Sequence, residues 1–131
     1  MNPTPLYQVL YVSTICAEQP LTVVAAIAHH ARAANAQRGI GAMLVFDGVH
    51  FCQLLEGDQR SVLSLTERIC SDTRHQNVEV LQHGPADKRR FEGFELAFTN
   101  GEDDMSLERL VALDGQAAVD AFDALCARLP R

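Results

Sequence analysis

The dipeptide Asp47-Gly48, between two apolar runs, constrains the fold more than any other feature of the chain. The runs "IGAMLVF" and "VHFCQLLEG" lie directly before and after it. Asp-Gly is typical of the tight turns that join antiparallel strands, and apolar runs of this length are typical of buried strands. The pattern predicts an antiparallel hairpin and therefore a fold built around a sheet.

Further elements flank the hairpin in a regular order. Residues 5–14 predict a strand, residues 21–36 a helix, and residues 58–71 a second, amphipathic helix. The segments "HQNVEVLQ" and "FEGFELAF" predict two more short strands. The order βαββαββ is typical of an α+β sheet of the ferredoxin-like type, with the two helices on one face.

The C-terminal segment predicts a cover for the opposite face of the sheet. Apolar residues recur at helical spacing over residues 105–113 and 117–129, on either side of Asp114-Gly115. Helices this short are marginal alone in water, so they must pack on the sheet or on a second chain. We therefore expect one domain over residues 1–100 and a helical cap, a candidate output segment, over residues 101–131.

Charge and cysteine content exclude several classes of protein. The net charge of −6, from 17 acidic and 11 basic side chains, argues against nucleic acid as the main partner, because phosphate binding needs a broad basic face. The four cysteines form no CxxC pair and no spacing typical of zinc or of a disulfide framework. With no signal sequence and no run of about 18 apolar residues, we expect a cytoplasmic chain that is neither exported nor inserted into a membrane.

Three polar residues lie where the strand and helix patterns favour apolar ones. Strand alternation places Gln53 on the same face as Phe51 and Leu55, and a buried amide without a partner costs about 1 to 3 kcal/mol. Tyr11 lies within the first strand, and Asn35 lies near the end of the first helix. Ordinary interpretations stay open for each: a glutamine bonded to backbone, a tyrosine at the rim of the core, and an asparagine that ends a helix.

A second polar cluster follows the second helix, in "ERICSDTRH". Arg68 and Asp72 are four residues apart on one helical face, with Arg74 and His75 just beyond. As a surface salt bridge the first pair contributes only a few tenths of a kcal/mol. In the functional interpretation, the four residues would line one end of a groove between the two helices and would face Arg32, an arrangement suited to a ribityl or phosphate group.

Sequence motifs of catalysis are absent. The chain has no GxSxG, HExxH, P-loop or GxGxxG pattern, so we expect neither an enzyme nor a metal site. A small hydrolase of the acylphosphatase kind would need a phosphate-cradling loop after the first strand, but "STICAEQP" contains neither glycine nor a basic residue.

Five motifs together resemble a known family. They are "LYVS", "NAQRGI", "FCQLLEG", "DTRHQNV" and "RRFEGF", and they span about three-quarters of the chain, from Leu6 to Phe98. On these residues the chain resembles the BLUF domain, a short flavin-binding sensor of blue light.

The resemblance implies a cofactor and a mechanism. FAD, with FMN as the alternative, would lie between the two helices with its ring over the sheet. Gln53 would hydrogen-bond both the ring and Tyr11, and Asn35 would hold the C2/C4 carbonyl side. Light would move an electron and a proton from Tyr11 to the flavin and back, leaving Gln53 rotated or tautomerised, a change suited to an amide because it has a donor end and an acceptor end.

The sequence departs from the family pattern at three points. Phe94 and Leu96, the predicted signal relay, stand where the family often has Trp and Met, and the chain contains no Trp. "GIGA", residues 39–42, replaces a more usual Gly-Ile-Thr-Gly. We expect a stand-alone photoreceptor that forms a homo-oligomer and signals through a separate, unidentified protein; the alternative is a degenerate interaction module that binds flavin weakly or not at all.

Overall fold

The computed structural model describes residues 5–15, 22–73, 75–99 and 107–129. Five strands and four helices occur in these ranges. In chain order they are β1 (Leu6–Ile15), α1 (Thr22–Arg38), β2 (Gly41–Phe46), β3 (His50–Asp58), α2 (Gln59–Ser71), β4 (His75–Pro85), β5 (Phe94–Phe98), α3 (Glu108–Val111) and α4 (Gly115–Arg128).

The strands form one mixed sheet in the order β4-β1-β3-β2-β5. β1 is antiparallel to both β3 and β4, β2 is antiparallel to β3, and β5 adds in parallel at the edge of β2. The predicted hairpin of β2 and β3 is confirmed. Its turn contains Gly48 at φ 99°, and Asp47 Oδ1 accepts hydrogen bonds from the backbone N–H groups of Val49 and His50 at 2.9 and 2.6 Å.

Both faces of the sheet are buried, as the predicted α+β architecture requires. Val9, Leu55 and neighbouring residues pack against α2 on one face, and Leu44 and Phe51 pack beside α1. On the opposite face, Leu10, Leu54 and other alternate residues of the sheet form a cluster with apolar residues of α3 and α4, including the fully buried Phe122. The expectation that the C-terminal helices cover this face is confirmed.

Several element boundaries differ from the predicted ones. β4 continues to Pro85, α4 begins at Gly115, and α3 covers only Glu108–Val111; the earlier start expected at Met105 lies outside the described residues. β5 begins at Phe94 rather than Phe91. The reason is packing, because the Phe91 side chain is buried with the core that α4 covers.

The turn before β5 lies against the start of β2. A Cβ atom on Gly41 would lie 1.8 Å from the carbonyl oxygen of Phe91, a distance that no side chain tolerates. Gly41 is therefore required by the close approach of two backbones, which explains one departure from the usual family pattern.

A buried ion pair ties the centre of the sheet to α4. Glu56, fully buried in β3, accepts hydrogen bonds through Oε1 from the backbone N–H groups of Arg90 and Phe91, both at 2.9 Å. Its Oε2 accepts one from Arg90 Nε at 3.2 Å. The other end of the Arg90 guanidinium donates to Asp123 of α4 and to Gln8 of β1. The Arg90 side chain thus connects β1, β3 and α4.

Replacing Arg90 by methionine should destabilise the fold, because it leaves the Glu56 carboxylate buried without its counter-charge. We expect the free energy of unfolding to fall by about 3 kcal/mol, measured by urea denaturation. Asp123→Asn is the matched control: Asp123 is 42% exposed, so its loss should cost less than about 1 kcal/mol. Equal stability of Arg90→Met and the wild type would contradict this role of Arg90.

Candidate functional site

A cavity lies between α1 and α2, above the central strands. Its volume is about 160 Å³, and it is partly open to solvent. Most of its wall is apolar, with Ile27, Leu44, Leu65, Ile69 and Phe94 among the lining residues. Its polar lining residues are Tyr11, His30, Asn35, Arg38, Gln53, Arg68 and Asp72.

Tyr11 and Gln53 form a hydrogen-bonded pair on the floor of the cavity. They lie directly opposite each other on β1 and β3 and are 3% and 5% exposed. The Tyr11 hydroxyl donates to Gln53 Oε1 at 2.6 Å. The buried amide of Gln53 therefore has a side-chain partner, and with its oxygen so engaged it presents its NH₂ end as a donor to other groups.

The environment of Tyr11 keeps its phenol protonated. Burial is the largest cause that raises the pKa of Tyr11 far above its ordinary value of 10.0, and the nearby acidic groups of Cys52, Asp72 and Cys70 raise it further. The ionised phenolate is disfavoured here because charge is poorly solvated in a buried site. A proton that leaves Tyr11 therefore needs an acceptor in direct contact, and Gln53 Oε1 is in that position.

Asn35 and Arg38 come from the last turn of α1, which ends where Gly39 adopts φ 67°. Asn35 is 1% exposed. Its backbone carbonyl oxygen accepts a hydrogen bond from the backbone N–H of Ile40 at 3.0 Å. Asn35 Nδ2 and Arg38 Nη1 are buried and have no hydrogen-bond partner among the residues that the structure describes. Arg38 and His30 also line the cavity but were not among the predicted site residues. The spacing of Arg38, three residues after Asn35, is the signal that could have identified it.

Only part of the predicted polar cluster at the end of α2 is seen to line the cavity. Arg68 and Asp72 both line it, and Asp72 caps the C-terminal end of α2 through its backbone N–H. Arg74 lies outside the described residues, and only the backbone of His75 is described. Arg32 is exposed and is not among the lining residues; its guanidinium lies 5.6 Å from the centroid of the Phe94 ring.

The predicted relay residues of β5 occupy different positions. Phe94 lines the cavity. Leu96 instead packs with Val24 and Phe46, and these three residues line a second, apolar groove together with the exposed Phe98.

A row of paired residues nevertheless joins Leu96 to the cavity floor. Leu96 pairs with Leu44, Leu44 with Gln53, and Gln53 with Tyr11, across four adjacent strands. Cross-strand neighbours are in side-chain contact range, so the row connects the cavity floor to the edge of the sheet.

The chemistry of the wall fits a flavin. The apolar residues suit the faces of a flat aromatic ring system, and the unpaired donors Asn35 Nδ2 and Arg38 Nη1 suit its carbonyl oxygens. The NH₂ end of Gln53 is a further donor.

The family comparison agrees with this site. Residues 6–97 match the model of the BLUF family, described as sensors of blue light using FAD. The match covers well over half of the chain, and the chain therefore belongs to the BLUF family of flavin-dependent photoreceptors.

Individual relatives extend the comparison. Over 86 residues the chain is 36% identical to the blue light- and temperature-regulated antirepressor BluF of Escherichia coli strain K12, covering 66% of this chain but only 21% of that protein. Among solved structures, the dark state of the BLUF protein BlrB has a TM-score of 0.80 at 26% identity, covering 95% of this chain and 96% of that one. The photo-activated state of BlsA, 24% identical, has a TM-score of 0.78 over 92% of this chain and 94% of that one, which shows the shared fold.

A structure of Klebsiella pneumoniae BlrP1 with FMN and cyclic diGMP is 27% identical, with a TM-score of 0.67. The match covers 96% of this chain and 31% of that longer one.

Within the described ranges, none of the helices has the length and apolar character needed to span a membrane.

The raised pKa of Tyr11 predicts a loss of stability in alkali. Above about pH 10 the unfolded chain ionises this tyrosine and the native chain does not, so the unfolded state binds fewer protons and the free energy of unfolding falls with pH. The contribution of Tyr11 is about 1 kcal/mol between pH 10 and 11, where the unfolded tyrosine is still partly protonated, and Tyr11→Phe should remove it. Urea denaturation of both proteins at pH 10 to 11 measures the two slopes; identical slopes would contradict the assignment.

Proposed function

We propose that this chain senses blue light through the pair Tyr11–Gln53 and passes the change to another protein. The observation that carries the proposal is the 2.6 Å hydrogen bond from the Tyr11 hydroxyl to Gln53 Oε1 at the floor of the mostly apolar cavity between α1 and α2. The flavin supplies absorption of blue light and the capacity to accept an electron. The remaining roles belong to side chains of this chain.

Tyr11 is the donor of the electron and the proton. Its phenol is held protonated by burial, so loss of an electron must be coupled to loss of the hydroxyl proton. Gln53 Oε1 is the atom that receives the hydrogen bond.

Gln53 is the switch. Rotation or tautomerisation of its amide exchanges donor and acceptor ends without a large movement of the backbone. In a buried site such an exchange of hydrogen bonds carries free energy of about 1 kcal/mol or more, which is enough to change the populations of two neighbouring conformations. No substrate bond is made or broken, so the proposed role is sensing and not turnover.

FAD is the proposed cofactor, since the family is described as using FAD; FMN is the alternative, because the BlrP1 structure contains FMN. Asn35 and Gln53 would hold the ring. Arg68 and Asp72 line the cavity beside α2 and would hold the ribityl or phosphate groups. We retain Arg74, His75 and Arg32 as further candidates for the phosphate end.

We propose that the light-induced change is transmitted from the cavity floor to β5 at the edge of the sheet. The row Tyr11, Gln53, Leu44 and Leu96 supports a path from the cavity floor to β5, with Phe94 as a second contact between the cavity and β5. The helices of residues 101–131, an oligomer interface or a separate protein would receive the change. That the E. coli relative is an antirepressor supports a protein as the receiver.

The alternative function, an interaction module with little or no flavin binding, rested on Gly41, Ala42 and Leu96. Gly41 is required by its contact with the Phe91 backbone, and Ala42 is fully buried and pairs with Leu55 and Phe94. Both residues therefore have packing reasons that do not involve loss of the cofactor. This favours the photoreceptor over the interaction module.

The absorption spectrum of the purified chain, recorded in the dark, after blue illumination and during recovery, tests the proposal. We expect a flavin spectrum that shifts slightly to the red and then reverts, because the hydrogen bonds to the ring change while the ring stays oxidised. A flavin spectrum without a shift would exclude the Tyr11–Gln53 switch. A colourless protein that also fails to bind added flavin would favour the interaction module.

Gln53→Leu should retain flavin and abolish the light-induced shift, since leucine fills the space of the amide and offers neither donor nor acceptor. The matched control is Gln82→Leu: Gln82 lies on β4 outside the cavity lining and accepts a hydrogen bond from Gln8 Nε2 at 2.9 Å. We expect this control to shift as the wild type does. A normal shift in Gln53→Leu would sink the assigned mechanism.

A further inference from the structure

Two donor atoms in the wall of the cavity need partners. Asn35 Nδ2 and Arg38 Nη1 are both buried, and neither has a hydrogen-bond partner among residues 5–15, 22–73, 75–99 and 107–129. The two side chains line the same cavity from one side of the last turn of α1. Since buried polar groups in native proteins are nearly always hydrogen-bonded, the pair favours a bound molecule as the source of the acceptor.

The pair restricts the chemistry of that acceptor. A guanidinium and an amide NH₂ only donate, so the bound molecule must present lone pairs. The positive charge of Arg38 favours an oxygen on which negative charge can accumulate. The carbonyl edge of a flavin ring has two such oxygens, and electron density collects there when the ring is reduced.

We infer that Arg38, together with Asn35, donates to the carbonyl edge of the flavin and places a positive charge beside it. The inference rests on the proposed function, because it assumes that the cavity holds a flavin. The family resemblance implies that Asn35 binds this carbonyl edge. The new element of the inference is that Arg38 binds it as well. Arg38 then determines how tightly the ring is held and, because charge near a flavin tunes its electronics, how readily it is reduced.

A phosphate is the competing partner for an arginine in a nucleotide site. The positions of the arginines argue against it here. Arg68 is exposed where it lines the cavity, and is free to meet a phosphate in water. Arg38 is half-buried, and its Nη1 atom is buried in the cavity that Asn35 also lines.

Riboflavin distinguishes a contact of Arg38 with the ring from a contact with a phosphate, since riboflavin has the ring but no phosphate. The full chain, freed of flavin, is titrated with riboflavin, FMN and FAD and compared with Arg38→Gln. We expect Arg38→Gln to weaken all three by a similar factor of about 10 to 100, the usual loss for a charged hydrogen-bond donor. Arg60→Gln is the control: Arg60 is exposed in the first turn of α2, outside the cavity lining, and should leave the three affinities unchanged.

Two further measurements separate a contact with the ring from a role in folding. The reduction potential of the bound flavin should be lower in Arg38→Gln than in the wild type, and Arg38→Lys should recover most of the difference because it keeps the charge. The flavin-free chain of Arg38→Gln should unfold at the wild-type temperature or above, because the variant removes a buried donor that has no partner among the residues that the structure describes.

Three results would overturn the inference. The first is wild-type riboflavin affinity in Arg38→Gln. The second is weakened binding of FMN and FAD with unchanged riboflavin, which would assign Arg38 to the phosphate. The third is a lower unfolding temperature of the flavin-free variant, which would make Arg38 a structural residue. A wild-type chain that binds none of the three flavins would instead overturn the proposed function, and this inference with it.

Discussion

The pairing of β1 with β3 is the constraint on which the rest of the structure depends. The two strands are neighbours at the centre of a sheet that is covered on both faces. Because side chains alternate between the faces, a slip of one residue would move each of them to the wrong side. The observed register places Tyr11 opposite Gln53 and so builds the hydrogen bond of the candidate switch into the core of the fold.

β3 places one buried polar side chain on each face of the sheet, and the two side chains differ in their hydrogen-bond partners. Glu56, facing α4, is surrounded by donors of Arg90 and Phe91 from the chain itself. Gln53, facing α1 and α2, has Tyr11 at one end of its amide. It lines a cavity in which donors of Asn35 and Arg38 have no partner within the described part of the chain. Polar groups that are fully paired within the protein stabilise a fold, whereas those left for an outside partner indicate a binding site.

Local sequence patterns predicted the helices and strands well. They predicted less well the positions of residues that depend on tertiary packing. The Asp47-Gly48 hairpin and α2 lie close to their predicted positions because turn chemistry and helical spacing are local properties. The start of β5 was predicted three residues early, since the Phe91 side chain joins the opposite core. Tyr11, Gln53 and Asn35 stood out as polar residues in apolar patterns; Arg38 did not, because an arginine in the last turn of a helix is ordinary on a surface.

By itself the sequence determined the order of the elements, the two apolar faces of the sheet, and the motifs that identify the family, since each depends on residues close together along the chain. Only the tertiary structure decided which side chains meet. It placed Arg38 in the cavity lining and Arg32 outside it, and it separated Leu96 from Gln53 by the intervening Leu44. The physical reason is that strand order and helix orientation bring together residues far apart in sequence, and local spacing carries no information about those distances.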